Sequence, residues 1–391
     1  MTPVPSREFA FRITLPIFSV TVLLLVLEIL ARLYNSAFGL PTGHYEFRKE
    51  RPAPYMDAAY FSQDFMDEWR HQPGGWQYPE NTRLIIPNDY EGAYFNVIDG
   101  KRATVYQPES HASSVYLFGG STMYCGEVPD KLTIASRLQL LFNEHYPDTY
   151  RVENYGTTSV STVQQLERLR TISSFRAGDI VVFYDGVNDI GQGLFYARPE
   201  ETMIERNRRV MEELSMFERT MLYLSVKSDF VQLLFDPINR SEPEHLSDSA
   251  FVSQLLESMK SRFKQTLQEA HDYCASHNVT FFHFLQPHIW ADDTLSEYEA
   301  TLSENYYVIP VGEARSFSIG YPGLQQATTE LAETIHSIDL TDILNDRPDN
   351  EEYFFDSFHV NHRANEIIAA HIFNAIHSDL STSRSTARVI R

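Results

Sequence analysis

From about Ser113 onward the chain predicts an α/β protein, a parallel sheet carrying helices on both faces. Two observations carry this. Short apolar runs of strand type alternate with longer runs whose apolar residues recur at helical spacing. The strand runs, GDIVVFYDG above all, are almost continuously apolar, as strands covered on both faces must be. Crossovers in such a sheet are right-handed, and ligands bind beyond the carboxyl ends of its strands.

Taken in order, SSVYLFGG is the first of these strands. LTIASRLQLLFNEHY follows, with Ile134, Leu138, Leu141 and Phe142 forming a helical stripe. TYRVENYG is a second strand, VSTVQQLERLRTISS a helix, and GDIVVFYDG a third strand. A polar, helical excursion without strand signals then runs from about 190 to 249; its MEELSMFERTMLYLSV stretch is apolar enough for a lid or a packed helix. The helix SQLLESMKSRFKQTLQEAHDYCASH leads to a fourth strand, VTFFHFLQP. A second insertion covers about 290–323, before a helix near LQQATTELAETIHS, a short strand SIDLTD and a last helix NHRANEIIAAHIFNAIHS.

Upstream, Ile13 to Ala31 are nineteen residues with Glu28 as their one charge. At 1.5 Å per residue, about twenty residues cross a hydrocarbon core of roughly 30 Å. Glu28 lies near the end of the span, four residues before Arg32, where the two can pair. A cleaved signal peptide is the rival reading, but the apolar run is long for one and no A-x-A site follows. The sequence therefore predicts a short head at 1–12, a single-pass anchor at 13–31, and the large domain on the extracytoplasmic side. Residues 32–108 are rich in Pro, Gly, Tyr and Asn and read as turns and short strands packing on a main domain at 109–380, with a flexible tail at 381–391.

A formal charge of −21 argues against nucleic acid, whose phosphates need clustered Lys and Arg. The two cysteines, Cys125 and Cys274, exclude a disulfide framework and a C-x-x-C metal pattern. His283 and His288, without nearby cysteine or a clear carboxylate partner, make a poor zinc signal, and Asp292, Asp293, Glu297 and Glu299 read as a solvated acidic face.

Two stretches carry chemistry. VYLFGGSTMYCGE places Ser121 where a strand meets a helix, and EYFFDSFHVNHRANEIIA places Asp356 and His359 three residues apart before the last helix. A serine hydroxyl needs a base within hydrogen-bond reach to act as a nucleophile at neutral pH, and the base needs a group that fixes its tautomer. Singly, GGST is an ordinary turn and Asp-x-x-His an N-cap with a surface histidine; order and placement on one sheet edge give them weight.

With GGST after the first strand, NYG after the second, DGVND after the third and DSFH near the end, the chain resembles the SGNH (GDSL) hydrolases over roughly 113–378. The resemblance implies a three-layer, flavodoxin-like α/β/α sandwich, with neither metal nor organic cofactor. It implies Ser121 as nucleophile, His359 and Asp356 as the rest of a triad, and Ser121, Gly156 and Asn188 as oxyanion-hole donors. Two departures bear on subfamily and substrate: Gly120 stands where the family's name motif has aspartate, and no second glycine follows in NYGTTSVST. The expectation is a membrane-anchored serine esterase whose substrate is a small acyl ester, acetyl on a cell-surface glycan. The alternatives are a polysaccharide O-acetyltransferase, a lipase or phospholipase, and a non-catalytic glycan-binding protein.

Overall fold

The computed structural model of the chain describes residues 7–38, 53–55, 58–71, 75–198, 201–228, 230, 242–303, 311–348 and 351–389. In chain order the elements are α1 (Arg7–Phe38), α2 (Gln63–His71), β1 (Tyr90–Glu91), β2 (Asn96–Ile98), β3 (Lys101–Arg102), β4 (Ser113–Gly119), α3 (Ser121–Tyr124) and α4 (Ile134–His145). They continue with β5 (Tyr150–Asn154), α5 (Thr162–Leu169), β6 (Ile180–Asp185), α6 (Val187–Ile190), α7 (Met203–Glu213), α8 (Met216–Lys227) and α9 (Ser249–Ser276). Last come β7 (Thr280–Leu285), α10 (Glu297–Ser303), α11 (Glu313–Leu331), β8 (His336–Asp339) and α12 (His362–Val389). The chain divides into two compact units, Met1–Glu46 with Asn207–Ser241, and Phe47–Arg206 with Glu242–Arg391.

The second unit holds an eight-stranded sheet in the order β8-β7-β6-β4-β5-β3-β2-β1. Strands β4 to β8 pair in parallel. Side chains alternate across them with period two. Val115, Leu117, Val182 and Phe282 face Leu138 and Phe142 of α4 and Ile368 and Ile372 of α12. Tyr116, Phe118, Val181 and Phe183 face the other way, onto Leu166 of α5, Phe263 of α9 and Leu324 of α11. Both faces are covered, so the strands read apolar throughout. Strand order reverses at β4, with β5 on one side and β6 on the other; that crevice is where an open α/β sheet binds ligands.

The segment before 109 enters this sheet. Strands β1 to β3 add an antiparallel edge through the Arg102↔Asn154 pairing. Arg102 is buried, pairs with Asp130 at 2.9 Å and lies 4.6 Å from the Phe95 ring centroid. Residues 39–52 of the segment, like 1–6 of the head and 304–310 of the second insertion, lie outside the described residues. The 190–249 excursion contributes helices and no strand among the described residues.

Three expectations are corrected. Helix α11 begins at Glu313, well before the expected Leu324, and carries Pro322 in its interior; Phe317, Tyr321, Leu324 and Leu331 stay buried along it, so packing outweighs one lost backbone hydrogen bond. The tail expected from 381 instead prolongs α12 to Val389, with neither Gly nor Pro to stop it. Asp292 and Glu299 are buried rather than solvated, because Arg347 pairs with both, at 2.5 and 2.8 Å.

In the first unit, α1 is a helix of 32 residues. From 18 to 33 most of its large apolar side chains are exposed, Phe18, Leu25 and Leu33 among them, while Leu27 is half-buried. The expected span 13–31 starts among residues whose side chains lie outside those described. Among the described residues no helix is long and apolar enough to cross a membrane.

Candidate active site

Strand β4 is buried along its whole length and delivers Ser121 to the carboxyl edge of the sheet. Gly120 caps the one-turn helix α3 without a side-chain bond, and Cys125 closes it in the left-handed region at φ 55°. Ser121 opens that helix, so its N–H has no intrahelical partner. A Cβ on Gly120 would lie 2.3 Å from Asn188 Nδ2. Glycine there lets the Asn188 amide come up beside the serine.

Asp356 and His359 stand on a tight reversal. Phe354 bridges Val360, and the Phe355 N–H donates to the His359 carbonyl at 2.9 Å. Asp356 Oδ1 accepts the N–H groups of Phe358 (3.0 Å) and His359 (2.8 Å), so the aspartate shapes the turn as well as facing the histidine. The helix cap is a different residue, Asn361, whose Oδ1 accepts from the N–H of Arg363 and Ala364.

The two distant stretches meet here. His359 Nε2 lies 2.7 Å from Ser121 Oγ, and His359 Nδ1 lies 2.7 Å from Asp356 Oδ2. Burial alone would raise the Asp356 carboxyl, but the charge of His359 and the hydrogen bonds it accepts hold it well below the usual carboxylate range. Burial alone would lower His359. The carboxylate of Asp356, with Glu127 and Glu313 behind it, raises the imidazole to about 9 instead. Ser121 is partly exposed, so the hydroxyl is open to an incoming ester.

Asn188 enters from α6, after β6. Its Nδ2 donates to the Val160 carbonyl at 3.0 Å, leaving the second amide hydrogen for a ligand beside Ser121. Gly156 differs from expectation. Its N–H donates to Asn154 Oδ1 at 2.8 Å, so the donor is already engaged. Its glycine identity has another cause, since a Cβ would lie 2.5 Å from the Tyr124 backbone nitrogen. Asn154 also donates to the Met123 carbonyl, tying the end of β5 to α3. The loop has no second glycine, and its Ser159 lies in the left-handed region at φ 55°. Asp189 accepts the Thr162 hydroxyl at 2.7 Å and is raised to about 8, chiefly by burial and then by Asp185.

Sequence reasoning missed the supports behind Asp356 and His359. Glu299 Oε1 accepts the N–H groups of Tyr353 (2.7 Å) and Phe354 (2.9 Å), fixing the segment that leads into Asp356. Glu313 accepts the Ser357 hydroxyl at 3.0 Å, and burial, then the Asp356 charge, raise its carboxyl to about 7. These contacts join residues more than forty positions apart, and no local pattern announces them.

His283 sits in the core between Ser337 Oγ (2.7 Å) and Asp185 Oδ1 (3.1 Å). His288 is lowered to about 3 by burial and is therefore neutral. Burial pushes the Cys125 thiol up to about 12. Among the described residues no group of three or more His, Cys, Asp or Glu could hold a metal ion.

A mostly parallel α/β sheet presenting a serine–imidazole–carboxylate chain at its switch point is the architecture of an ester-bond hydrolase. The family model for GDSL-like lipases/acylhydrolases matches residues 115–372, and the chain belongs to that family. Among solved structures it is similar to an α/β-hydrolase enzyme from the metagenome of Lake Arreo, at 11% identity and a TM-score of 0.39, covering 68% of this chain and 95% of that one. It is similar to a member of the lipolytic G-D-S-L family from Veillonella parvula, at 12% identity and a TM-score of 0.36, covering 66% and 95%. It is also similar to a catalytic mutant of an acetylxylan esterase from Geobacillus stearothermophilus, at 12% identity and a TM-score of 0.38, covering 68% and 95%. No curated protein matches the chain.

Proposed function

We propose that this family member is a membrane-anchored serine esterase that removes or transfers small acyl groups, acetyl first among them, on a cell-surface glycan. The observation that carries the chemistry is the continuous chain from Ser121 Oγ through His359 to Asp356, with both links at 2.7 Å.

Neutral His359 accepts the Ser121 proton as Oγ attacks the ester carbonyl. Asp356 holds Nδ1–H and balances the imidazolium that forms. The oxyanion receives the Ser121 N–H and the free Asn188 amide hydrogen, both preorganised by α3 and the Val160 contact. His359 returns the proton to the departing alcohol, leaving an acyl group on Ser121. Water, or a sugar hydroxyl, then attacks that acyl group with His359 again as base, and Ser121 is restored.

The glycan and the anchor rest on the N-terminal segment, in which Glu28 is the one charge among the nineteen residues 13–31. Such an anchor holds a catalytic unit beside the cell surface. The test uses the full chain in detergent micelles. A fluorophosphonate probe should label the peptide containing Ser121, and the chain should hydrolyse a small acetate ester. Ser121→Ala should lose both; unchanged turnover in that variant removes the nucleophile assignment.

A further inference from the structure

We infer that α8 is a second membrane contact, lying in the interface of the bilayer that the proposed N-terminal anchor would enter. This rests on the anchor reading above. Within the first unit, Glu28 accepts the Ser228 hydroxyl at 2.7 Å and the Phe230 N–H at 3.2 Å, and pairs with Arg32 at 2.7 Å. Glu28 is three residues short of the end of the expected span, about 4.5 Å along the helix. The charge that interrupts the span is thus bound at the level where hydrocarbon gives way to headgroups. Ser228 directly follows α8, so the clasp holds the C-terminal end of α8 at that same level.

The exposed surface of α8 suits that depth. Among the described residues, more than half of the exposed large apolar side chains outside α1 fall between Val210 and Leu224, from the end of α7 through α8. Met216 is 79% exposed, Phe217 71% and Tyr223 65%, beside the exposed polar groups Glu218, Arg219 and Thr220. In water such a surface is costly; in the headgroup–acyl boundary the apolar groups are buried while the charges stay wet. Tyrosine, with an apolar ring and a polar tip, favours that boundary. The helix has 12 residues, about 18 Å of length, too short to cross a core of roughly 30 Å. It therefore lies in the interface instead of spanning it.

The test places an NBD fluorophore on single introduced cysteines in the full chain, reconstituted in phosphatidylcholine–phosphatidylglycerol vesicles. Cys125 and Cys274 are buried, with thiols raised to about 12 by burial, and stay unlabelled. Labels go to F217C and Y223C, with L24C as the in-membrane reference and S110C as the aqueous one. Nitroxide lipids carrying the spin label at shallow depth should quench 217 and 223 severalfold more than 110, and deep-labelled lipids should quench 24 most. Quenching at 217 and 223 no greater than at 110, with 24 still quenched, overturns the inference and leaves the anchor standing; α8 is then a lid or a protein contact. Absence of quenching at 24 as well overturns the anchor reading itself. Glu28→Ala should reduce quenching at 223 and leave 24 unchanged.

Discussion

Ester turnover should climb steeply between pH 7 and 10, because the base it depends on is held as an imidazolium at neutral pH. His359 is raised to about 9, chiefly by the carboxylate of Asp356 against the opposing effect of burial. For such a group about 1% is neutral at pH 7 and about half at pH 9. Then kcat/KM should gain about 50-fold between those pH values and about twofold more by pH 11. Glu313, raised to about 7, completes its ionisation at the foot of this limb and above it adds to the pull on His359. Glu313→Gln should therefore move the limb to lower pH, and Asp356→Asn should move it further while also releasing control of the tautomer. Stability runs the opposite way to turnover over this range. The share due to protonated His359 is complete below its ordinary value and is lost as pH rises through about 9, whereas the share due to Asp356 is lost only as pH falls through its lowered value. The assay is titration of acid released from a small acetate ester, corrected for spontaneous hydrolysis. A flat kcat/KM from pH 7 upward, with the chain folded throughout, refutes the electrostatic reasoning.

Asn188→Ala should lower kcat about 10²–10³-fold with little change in KM, as removal of one oxyanion donor does. Gly120→Ala should act through the same amide, since its Cβ would lie 2.3 Å from Asn188 Nδ2; steady-state kinetics of the double variant should then be no worse than those of Asn188→Ala alone. Glu299→Ala strips Arg347 of one partner and two backbone N–H groups of their acceptor, and should cost about 3–5 kcal/mol in denaturant titration. Glu299→Gln, whose amide oxygen still accepts both N–H groups, should cost less. Ile372→Ala, fully buried beneath the sheet, should cost about 2–5 kcal/mol in the same titration while leaving the pH limb in place.

Strands were the most legible part of the chain because their period and their burial on both faces are written in adjacent residues. GDIVVFYDG gave β6 and SSVYLFGG gave β4 with little error. Helix ends were less legible. Pro322 falls in the interior of α11 because tertiary packing holds both sides of it, and nothing local says so. Asp292 and Glu299 looked solvated because the residue that neutralises them, Arg347, is encoded some fifty positions later. Gly156 looked like a donor because its position in NYG is visible while the competing acceptor, Asn154 Oδ1, depends on a turn geometry.

What the linear chain determined is the alternation of strands and helices, a net negative charge, and the residue types able to supply a nucleophile, a base and an orienting carboxylate. These follow from short-range properties: side-chain polarity, periodicity and proton affinity. Tertiary structure decided which groups touch. It brought Ser121 within 2.7 Å of His359, gave the Gly156 N–H to Asn154, and placed Glu127 and Glu313 where they raise the imidazole. Hydrogen bonds and charge interactions fall off over a few ångströms, so their partners are fixed only when packing of the sheet and its two helical layers sets those distances.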